Sequence, residues 1–144
     1  MSQFNNQAHS TIPTCGVDPI SSAHIAADLG RALQVASTPD DLIVIPLDPA
    51  YIGHGVLLFE SGTNYLSNIR DMLEVCLDAD ETPYVVFYSV RQHDIMDEDD
   101  HLQYQIANAW LESNGMQLVD WFVLTSRSIR SIPVEFGDPC EWPD

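Results

Sequence analysis

The sequence predicts an α/β protein in which a mixed β-sheet is flanked by helices. Short runs of β-branched and aromatic residues, typical of buried strands, alternate with segments whose apolar residues recur at helical spacing. The chain of 144 residues is 45% apolar, which is enough to bury one core. The predicted order is helix, strand, strand, helix, strand, helix, strand, strand. Without an internal repeat or a long linker, this order predicts a single domain.

The first half of the domain begins with a helix over residues 22–37, behind a Ser21/Ser22 N-cap. A strand follows over residues 42–45, and we expect it to end at Pro46 because proline cannot donate to a strand ladder. Residues 56–59 form a second strand close enough to pair with the first as a hairpin.

The second half has a helix over residues 64–77, a strand over 84–90, and a third helix that ends at Asn114-Gly115. The strand at 84–90 is the strongest in the chain, so we expect it to be central. In the third helix, one apolar stripe is predicted, formed by Leu102, Ile106, Ala109 and Trp110. Strands over 118–124 and, more weakly, 129–134 complete the sheet.

The domain boundaries follow from composition and turn residues. Residues 1–20 are predicted to be a flexible N-terminal arm, residues 21–136 the globular domain and residues 137–144 an irregular tail. No basic residue precedes Arg31 and no apolar run approaches the length of a membrane span, so neither a secretory signal nor an anchor is expected. Three cysteines, an odd number without C-x-x-C spacing, favour a cytoplasmic protein with free thiols.

The charge balance is strongly acidic. The chain contains 22 Asp and Glu against five Lys and Arg, all of them Arg, for a formal net charge of -17. Such a surface repels phosphate backbones and anionic lipid, so direct nucleic-acid binding and electrostatic membrane attachment are disfavoured. A basic protein is the partner that this charge favours, while the oligomeric state is left open.

The only dense group of possible metal ligands lies between His93 and His101. Its acids are the candidate interaction surface, namely Asp94, Asp97, Glu98, Asp99 and Asp100. The spacing fits neither a calcium EF-hand loop nor a zinc site, so we interpret the segment as a solvated acidic loop that caps a helix. No catalytic, cofactor or metal residue is assigned from the sequence.

Nucleophilic catalysis has no support in the motifs of the chain. There is no Gly-x-Ser-x-Gly elbow or glycine-rich phosphate loop, Cys76 lies on an apolar helix face, and Cys15 and Cys140 lie near the ends. Two carboxylates, Asp120 and Glu60, adjoin apolar strand residues. Either is a perturbed acid in a cleft or a hydrogen-bonded acid at a strand end, and the second is the commoner case.

Three short segments, at residues 59–63, 84–91 and 118–123, carry a likeness to a known family. They resemble the RadC-type branch of the JAB (MPN-like) superfamily, and the likeness covers roughly residues 41 to 134. The resemblance implies a three-layer sandwich of a mixed sheet flanked by helices. In that family the strand ends in a zinc-binding His-x-His-Pro motif, and here Ser89 and Arg91 stand at the two histidine positions.

A hydroxyl and a guanidinium cannot hold Zn²⁺ in the way that two imidazoles do. The resemblance therefore implies a degenerate, metal-free form of the JAB fold without catalytic activity. The chain is also similar to short acidic bacterial proteins in which a Ser-Val-Arg segment replaces the metal motif. Their Gly-x-Pro-x-x-Trp tail resembles residues 137–142.

Three functional hypotheses and one simpler account remain open at this point. The first is a non-catalytic interaction module whose acidic face binds a basic protein. The second is a DNA mimic that inhibits a nucleic-acid-binding protein, and the third is a metal-dependent hydrolase with displaced ligands at His93, Asp97 and His101. In the simpler account, the acidity only keeps the protein hydrated in a salty cytoplasm.

Overall fold

The residues that the structure describes form an α+β arrangement of one five-stranded mixed sheet and three helices, which confirms the predicted fold class. A computed structural model describes residues 13–14, 16–59, 80–140 and 142–143. The predicted helix at residues 64–77 lies outside the described residues. The described elements are α1 (Ala23–Gln34), β1 (Leu42–Leu47), β2 (Leu57–Phe59), β3 (Tyr84–Val90), α2 (Glu98–Ser113), β4 (Gln117–Leu124), β5 (Ile129–Ser131) and α3 (Ile132–Glu135).

The strands lie in the order β2-β1-β3-β4-β5, so the predicted central position of β3 is confirmed. β1 pairs antiparallel with both β2 and β3, β3 pairs parallel with β4, and β4 pairs antiparallel with β5. Because β3 and β4 are parallel, their carboxyl ends meet at the same edge of the sheet. At that edge, the backbone N–H of Arg91 donates to the carbonyl of Leu124 at 2.8 Å.

Strand residues alternate between two apolar cores, one on each face of the sheet. Phe87 and Trp121 pack on the face covered by α2 and α3, with ring centroids 4.9 Å apart at 75°. Tyr88 and Phe122 pack on the opposite face, beneath α1, with centroids 5.5 Å apart. This alternation explains why the strands read as nearly continuous apolar runs in the sequence.

β1 continues through Pro46 to Leu47, so the predicted end of this strand at the proline is wrong. The carbonyl of Pro46 accepts a hydrogen bond from the N–H of His54, in the loop that precedes β2. β2 pairs with β1 only as far as Val44. The absent proline N–H therefore falls on the side of β1 where strand pairing has already stopped, and the ladder with β3 is kept.

Of the two serines predicted to cap helix α1, Ser22 is the N-cap, and its hydroxyl accepts from the N–H of Ile25 at 3.2 Å. Gly30 lies against the side chains of Tyr88 in β3 and Leu124 in β4. A Cβ atom at this position would come within 2.6 Å of the Tyr88 ring. The glycine that weakens the helix in isolation thus permits close packing of α1 on the sheet. The Tyr88 hydroxyl also donates to the carbonyl of Ala26 at 2.8 Å.

The weak strand predicted over residues 129–134 divides into two elements. β5 ends at Ser131, whose hydroxyl accepts from the N–H of Val134 at 3.3 Å and caps the short helix α3. Pro133 fits in the first turn of that helix, where no intrahelical partner exists for a backbone N–H. The local cap therefore overrides the strand propensity of Ile132 and Val134.

Helix α2 is present, but it buries a different face from the predicted one. Tyr104 and Leu111 enter the core, whereas Leu102 and Ile106 are 51% and 41% exposed. Trp110 is half-buried against the core. Apolar residues lie on both sides of this helix, so spacing alone could not identify the side that packs on the sheet.

The described part of the predicted N-terminal arm lies against the loop between β1 and β2. The N–H of Gly16 donates to the carbonyl of Gly53, and that of Ile20 donates to the carbonyl of Tyr51. Pro19 and Ile52 form an isolated bridge. Ile20 is buried and belongs to the core beneath α1.

Candidate functional site

The end of β3 is where the resemblance places two altered metal-binding positions. Ser89 is completely buried, and its Oγ accepts a hydrogen bond from Nε1 of Trp121 at 2.8 Å. The hydroxyl is thus directed into the core between the sheet and α2, and it satisfies an indole N–H that would otherwise be buried without a partner.

Arg91 forms a bidentate ion pair with Asp100, in the first turn of α2. Nη1 lies 3.0 Å from Oδ2 and Nη2 lies 2.5 Å from Oδ1, and Nη1 also donates to the carbonyl of Ile95 at 3.0 Å. Burial acts to raise the pKa of the Asp100 carboxyl. The hydrogen bonds and charge of Arg91, with the N–H of Asp97, outweigh it and hold this pKa below its usual 3.8. The pair ties β3 to α2 across the connecting loop.

Asp97 and Asp100 also form a capping box at the start of α2. The Asp97 carboxylate accepts from the N–H groups of Asp99 and Asp100 at 3.1 and 3.3 Å, and Oδ2 of Asp100 accepts from the N–H of Asp97 at 3.0 Å. These bonds satisfy amides that a helix leaves free at its N-terminus. The predicted helix-capping role of this segment is confirmed.

Asp94 is held by a second arginine from the opposite side of the loop. Nη1 of Arg130 lies 2.6 Å from Oδ1 of Asp94, and Nη2 contacts Glu135. The hydrogen bond from Arg130 lowers the pKa of Asp94, and the two carboxylates raise the pKa of Arg130. This arginine therefore joins β5, α3 and the loop before α2 by exposed ion pairs.

The five predicted acids consequently have different roles. Asp94 and Asp100 are neutralised by arginines. The other three acids lie at the N-cap and in the first turn of α2; we call this set, Asp97, Glu98 and Asp99, the acidic turn. All three are exposed. Asp99 accepts from Nε2 of Gln103 at 3.0 Å. The acidic turn borders a cleft of about 340 Å³ that Asp40, Arg91, Gln92, His93, Ile95 and Asp100 also line.

The metal-ligand set of the hydrolase hypothesis is not assembled in the described part of the chain. Nowhere in residues 13–14, 16–59, 80–140 and 142–143 do three His, Cys, Asp or Glu side chains form a group that could hold a metal ion. His93 is exposed on the loop. His101 Nε2 lies 2.6 Å from Oδ2 of Asp138, and its ring stacks on Phe136 with centroids 4.5 Å apart.

Asp120 is a fully buried carboxylate in β4, at the bulge where the pairing with β3 shifts register. Oδ1 accepts from the N–H of Trp121 at 2.8 Å and from the hydroxyl of Ser131 at 2.7 Å. Oδ2 accepts from Nε1 of Trp142 at 2.8 Å and from the thiol of Cys140 at 3.4 Å. The favoured interpretation of a hydrogen-bonded acid is confirmed, although the residue lies inside the strand instead of at its end.

The Asp120 cluster anchors the C-terminal tail to the face of the sheet that α1 covers. Trp142 lies near Tyr51, which stacks on Tyr84 with centroids 4.4 Å apart. Burial and the nearby charge of Asp120 raise the pKa of Tyr88, which keeps that phenol protonated as a donor. The sequence does not predict this cluster, because nothing in the local pattern connects Cys140 or Trp142 with a strand twenty residues earlier.

A second polar cleft lies between α2 and the start of the tail and has a volume of about 380 Å³. Its lining includes Tyr104, Gln105, Asn108, Glu112, Gln117 and Asp138. The sequence does not predict this cleft either, because the cleft forms only when residues 138–139 fold back beside α2. Glu60, Cys15 and Cys76, which were singled out in the sequence, lie outside the described residues.

Comparison with models of known protein families matches none of them, and comparison with curated proteins finds no significant relative. The likeness to the JAB superfamily therefore stays a prediction from short sequence segments. Within the described residues, the helices are all too short or too polar to cross a membrane.

Proposed function

We propose that the chain is a non-catalytic interaction module, built on a metal-free JAB-like scaffold, which binds a basic protein through the acidic turn. The observation that carries the proposal is the fixed geometry of this turn. The capping box and the Arg91–Asp100 ion pair hold its backbone, while the carboxylates of Glu98 and Asp99 extend from the helix surface. A rigid charged surface loses little conformational entropy when it binds.

The distribution of cations supports the same proposal. Arg91 is paired with Asp100, and Arg130 is paired with Asp94 and Glu135. The net charge of -17 adds a long-range field that attracts a basic partner and accelerates encounter. Exposed charges of this kind are screened by salt, so the association is expected to weaken as ionic strength rises.

The non-catalytic part of the proposal rests on the side chains at the altered motif positions. Ser89 is buried against Trp121, and Arg91 brings a positive charge to the strand end and pairs with Asp100. A cation at this position opposes the binding of Zn²⁺ by electrostatic repulsion. Both residues therefore have structural partners in place of a metal.

The simpler account, in which acidity serves only solubility, requires a test that separates local charge from total charge. We suggest titrating a fluorescent lysine-rich peptide into the full chain, into E98Q/D99N and into D80N/E81Q. Both double variants remove two negative charges, but the second alters the exposed turn before β3. The proposal predicts a loss of affinity of about tenfold for E98Q/D99N and less than about twofold for D80N/E81Q.

Equal losses in the two variants would show that the peptide responds only to total charge, and the proposal would then be wrong. Thermal unfolding of both variants serves as the control for folding. Because Glu98 and Asp99 are exposed, their neutralisation is expected to leave the unfolding temperature nearly unchanged.

A further inference from the structure

The outer face of α2 carries an exposed apolar strip directly beside the acidic turn. Leu102 follows Glu98 by four residues, and Ile106 follows Leu102 by four, so the three side chains form one row along the helix. Leu102 is 51% and Ile106 41% exposed. Ala109, which is also exposed, widens this surface, which we call the α2 strip.

The α2 strip is not needed to hold the helix on the sheet. Tyr104 and Leu111 already fill the core from the opposite side of α2, and Ala107 packs beside them. A helix with apolar residues on both sides is normally covered on both. The row formed by Glu98, Leu102 and Ile106 has the four-residue spacing that packs into the groove of a second helix.

The charges around the strip select the kind of occupant. Glu98 and Asp99 lie at one end, Glu112 lies near the other end, and α2 contains no Lys or Arg. A second copy of this chain would bring another net charge of -17 to the interface, which opposes self-association. A positively charged amphipathic helix satisfies both the carboxylates and the apolar side chains.

We propose that the α2 strip and the acidic turn together form a docking site for a basic amphipathic helix of a partner protein. This inference rests on the proposed function and specifies its partner. Leucine-like side chains four residues apart on the partner would contact Leu102 and Ile106, while flanking Lys or Arg residues would pair with Glu98, Asp99 and Glu112. The apolar contacts supply affinity and the charges supply orientation and on-rate.

The experiment uses two synthetic peptides of the same charge and composition. One places leucines four residues apart on one face and lysines on the other, and the second is a scrambled sequence without that pattern. Affinity for each peptide is measured with the full chain, with L102S, with I106S and with V35S. Val35, at the C-cap of α1, is 88% exposed and serves as the matched apolar control.

We expect the patterned peptide to bind about tenfold more tightly than the scrambled one. L102S and I106S should each remove most of that difference, and V35S should leave it intact. The patterned peptide should also gain helical circular dichroism on binding. The unfolding temperatures of L102S and V35S should match that of the unaltered chain, because both side chains are exposed.

Four results would overturn the inference. Equal binding of both peptides, with E98Q/D99N still weakening each, would leave the proposed function standing and remove the apolar docking site. Loss of affinity in L102S without any effect of E98Q/D99N would refute the acidic surface itself. A clear drop in the unfolding temperature of L102S would mean that the strip is covered within the same chain. Sedimentation as a dimer that L102S abolishes would identify a second copy as the occupant.

Discussion

Asp100 and Asp120 are both buried carboxylates, and the protein satisfies them in different ways. Asp100 lies at the sheet edge, where it receives two hydrogen bonds from Arg91 and one from a backbone N–H. Asp120 lies inside the sheet and receives hydrogen bonds from four neutral groups of the described chain, including the indole of Trp142. One carboxylate fixes the loop before α2, and the other fixes the tail.

The comparison shows how an acidic chain uses its few arginines. An ion pair between Asp100 and Arg91, whose side chain is 21% exposed, holds a loop while one charge keeps contact with water, whereas a deeply buried pair would require two charges to lose their hydration. Neutral donors replace the second charge at Asp120. The acids left over, above all Glu98 and Asp99, remain at the surface and give the protein its proposed binding function.

Removal of the Asp120 carboxylate is expected to have the largest effect on stability. D120A leaves the partly buried N–H of Trp142 and the hydroxyl of Ser131 without their acceptor and creates a small cavity. The free energy of unfolding should fall by about 3 kcal/mol, measured by urea denaturation. A change below about 1 kcal/mol would mean that the tail contributes little and that the comparison with Asp100 is wrong.

Removal of the arginine at the sheet edge should have a smaller effect. R91M keeps the apolar stem of Arg91 but deprives Asp100 of its counterion, and the loss should be about 2 kcal/mol. S22A, which removes the cap of α1 at another site, provides a comparison of about 1 kcal/mol. If R91M is no less stable than the unaltered chain, the ion pair is not what fixes the loop.

The Asp100 pair also predicts a pH dependence. The pKa of the Asp100 carboxyl is lowered in the folded state, so the unfolded state binds more protons near the usual pKa of 3.8. The stabilisation is therefore present above that pH and is lost as the pH falls through the folded pKa. In R91M this pKa should rise, and acid unfolding should begin at a higher pH than in the unaltered chain. The urea midpoints of R91M and of the unaltered chain, measured over a pH series, test this prediction. If the two midpoints fall with decreasing pH over the same range, the prediction is wrong.

Loss of a single donor to Asp120 should have a modest effect. W142F retains an aromatic ring near Tyr51 and removes the N–H that donates to the carboxylate. Stability should fall by about 1 kcal/mol, since the other three donors remain. The measurement is again urea unfolding, and a loss as large as that of D120A would show that the tail acts through this one bond.

The exposed acids should contribute least to stability. E98Q/D99N is expected to change the free energy of unfolding by less than about 0.5 kcal/mol, because neither carboxylate is buried. The change is measured by thermal unfolding of E98Q/D99N and R91M under the same conditions. A loss comparable to that of R91M would place these acids among the structural carboxylates and leave the docking surface without support.

Local patterns predicted much of this fold. The apolar runs of β3 and β4 are typical only of buried strands. Ser22 marks a helix start because its hydroxyl accepts from a backbone N–H, and Gly115 marks a helix end because it adopts a positive φ. The strand β1 was predicted, but its continuation through Pro46 was not, because the strand tolerates proline only where pairing with β2 has already stopped. The buried face of α2 was missed because both sides of the helix offer apolar residues, and only the sheet decides between them.

The site was less predictable than the fold. The sequence located the acids around the start of α2. It could not distinguish the acids that pair with distant arginines, Asp94 and Asp100, from the surface acids Glu98 and Asp99. Nor could it connect Asp120 with the tail, since those hydrogen bonds join residues that no periodicity relates.

The most direct test of the binding proposal is the salt dependence of peptide association. The logarithm of the association constant for the patterned lysine-rich peptide should fall linearly with the logarithm of the NaCl concentration. The account predicts a shallower slope for E98Q/D99N and an unchanged slope for D80N/E81Q, because only the first pair contacts the peptide. Identical slopes for all three proteins would contradict a localised acidic docking surface.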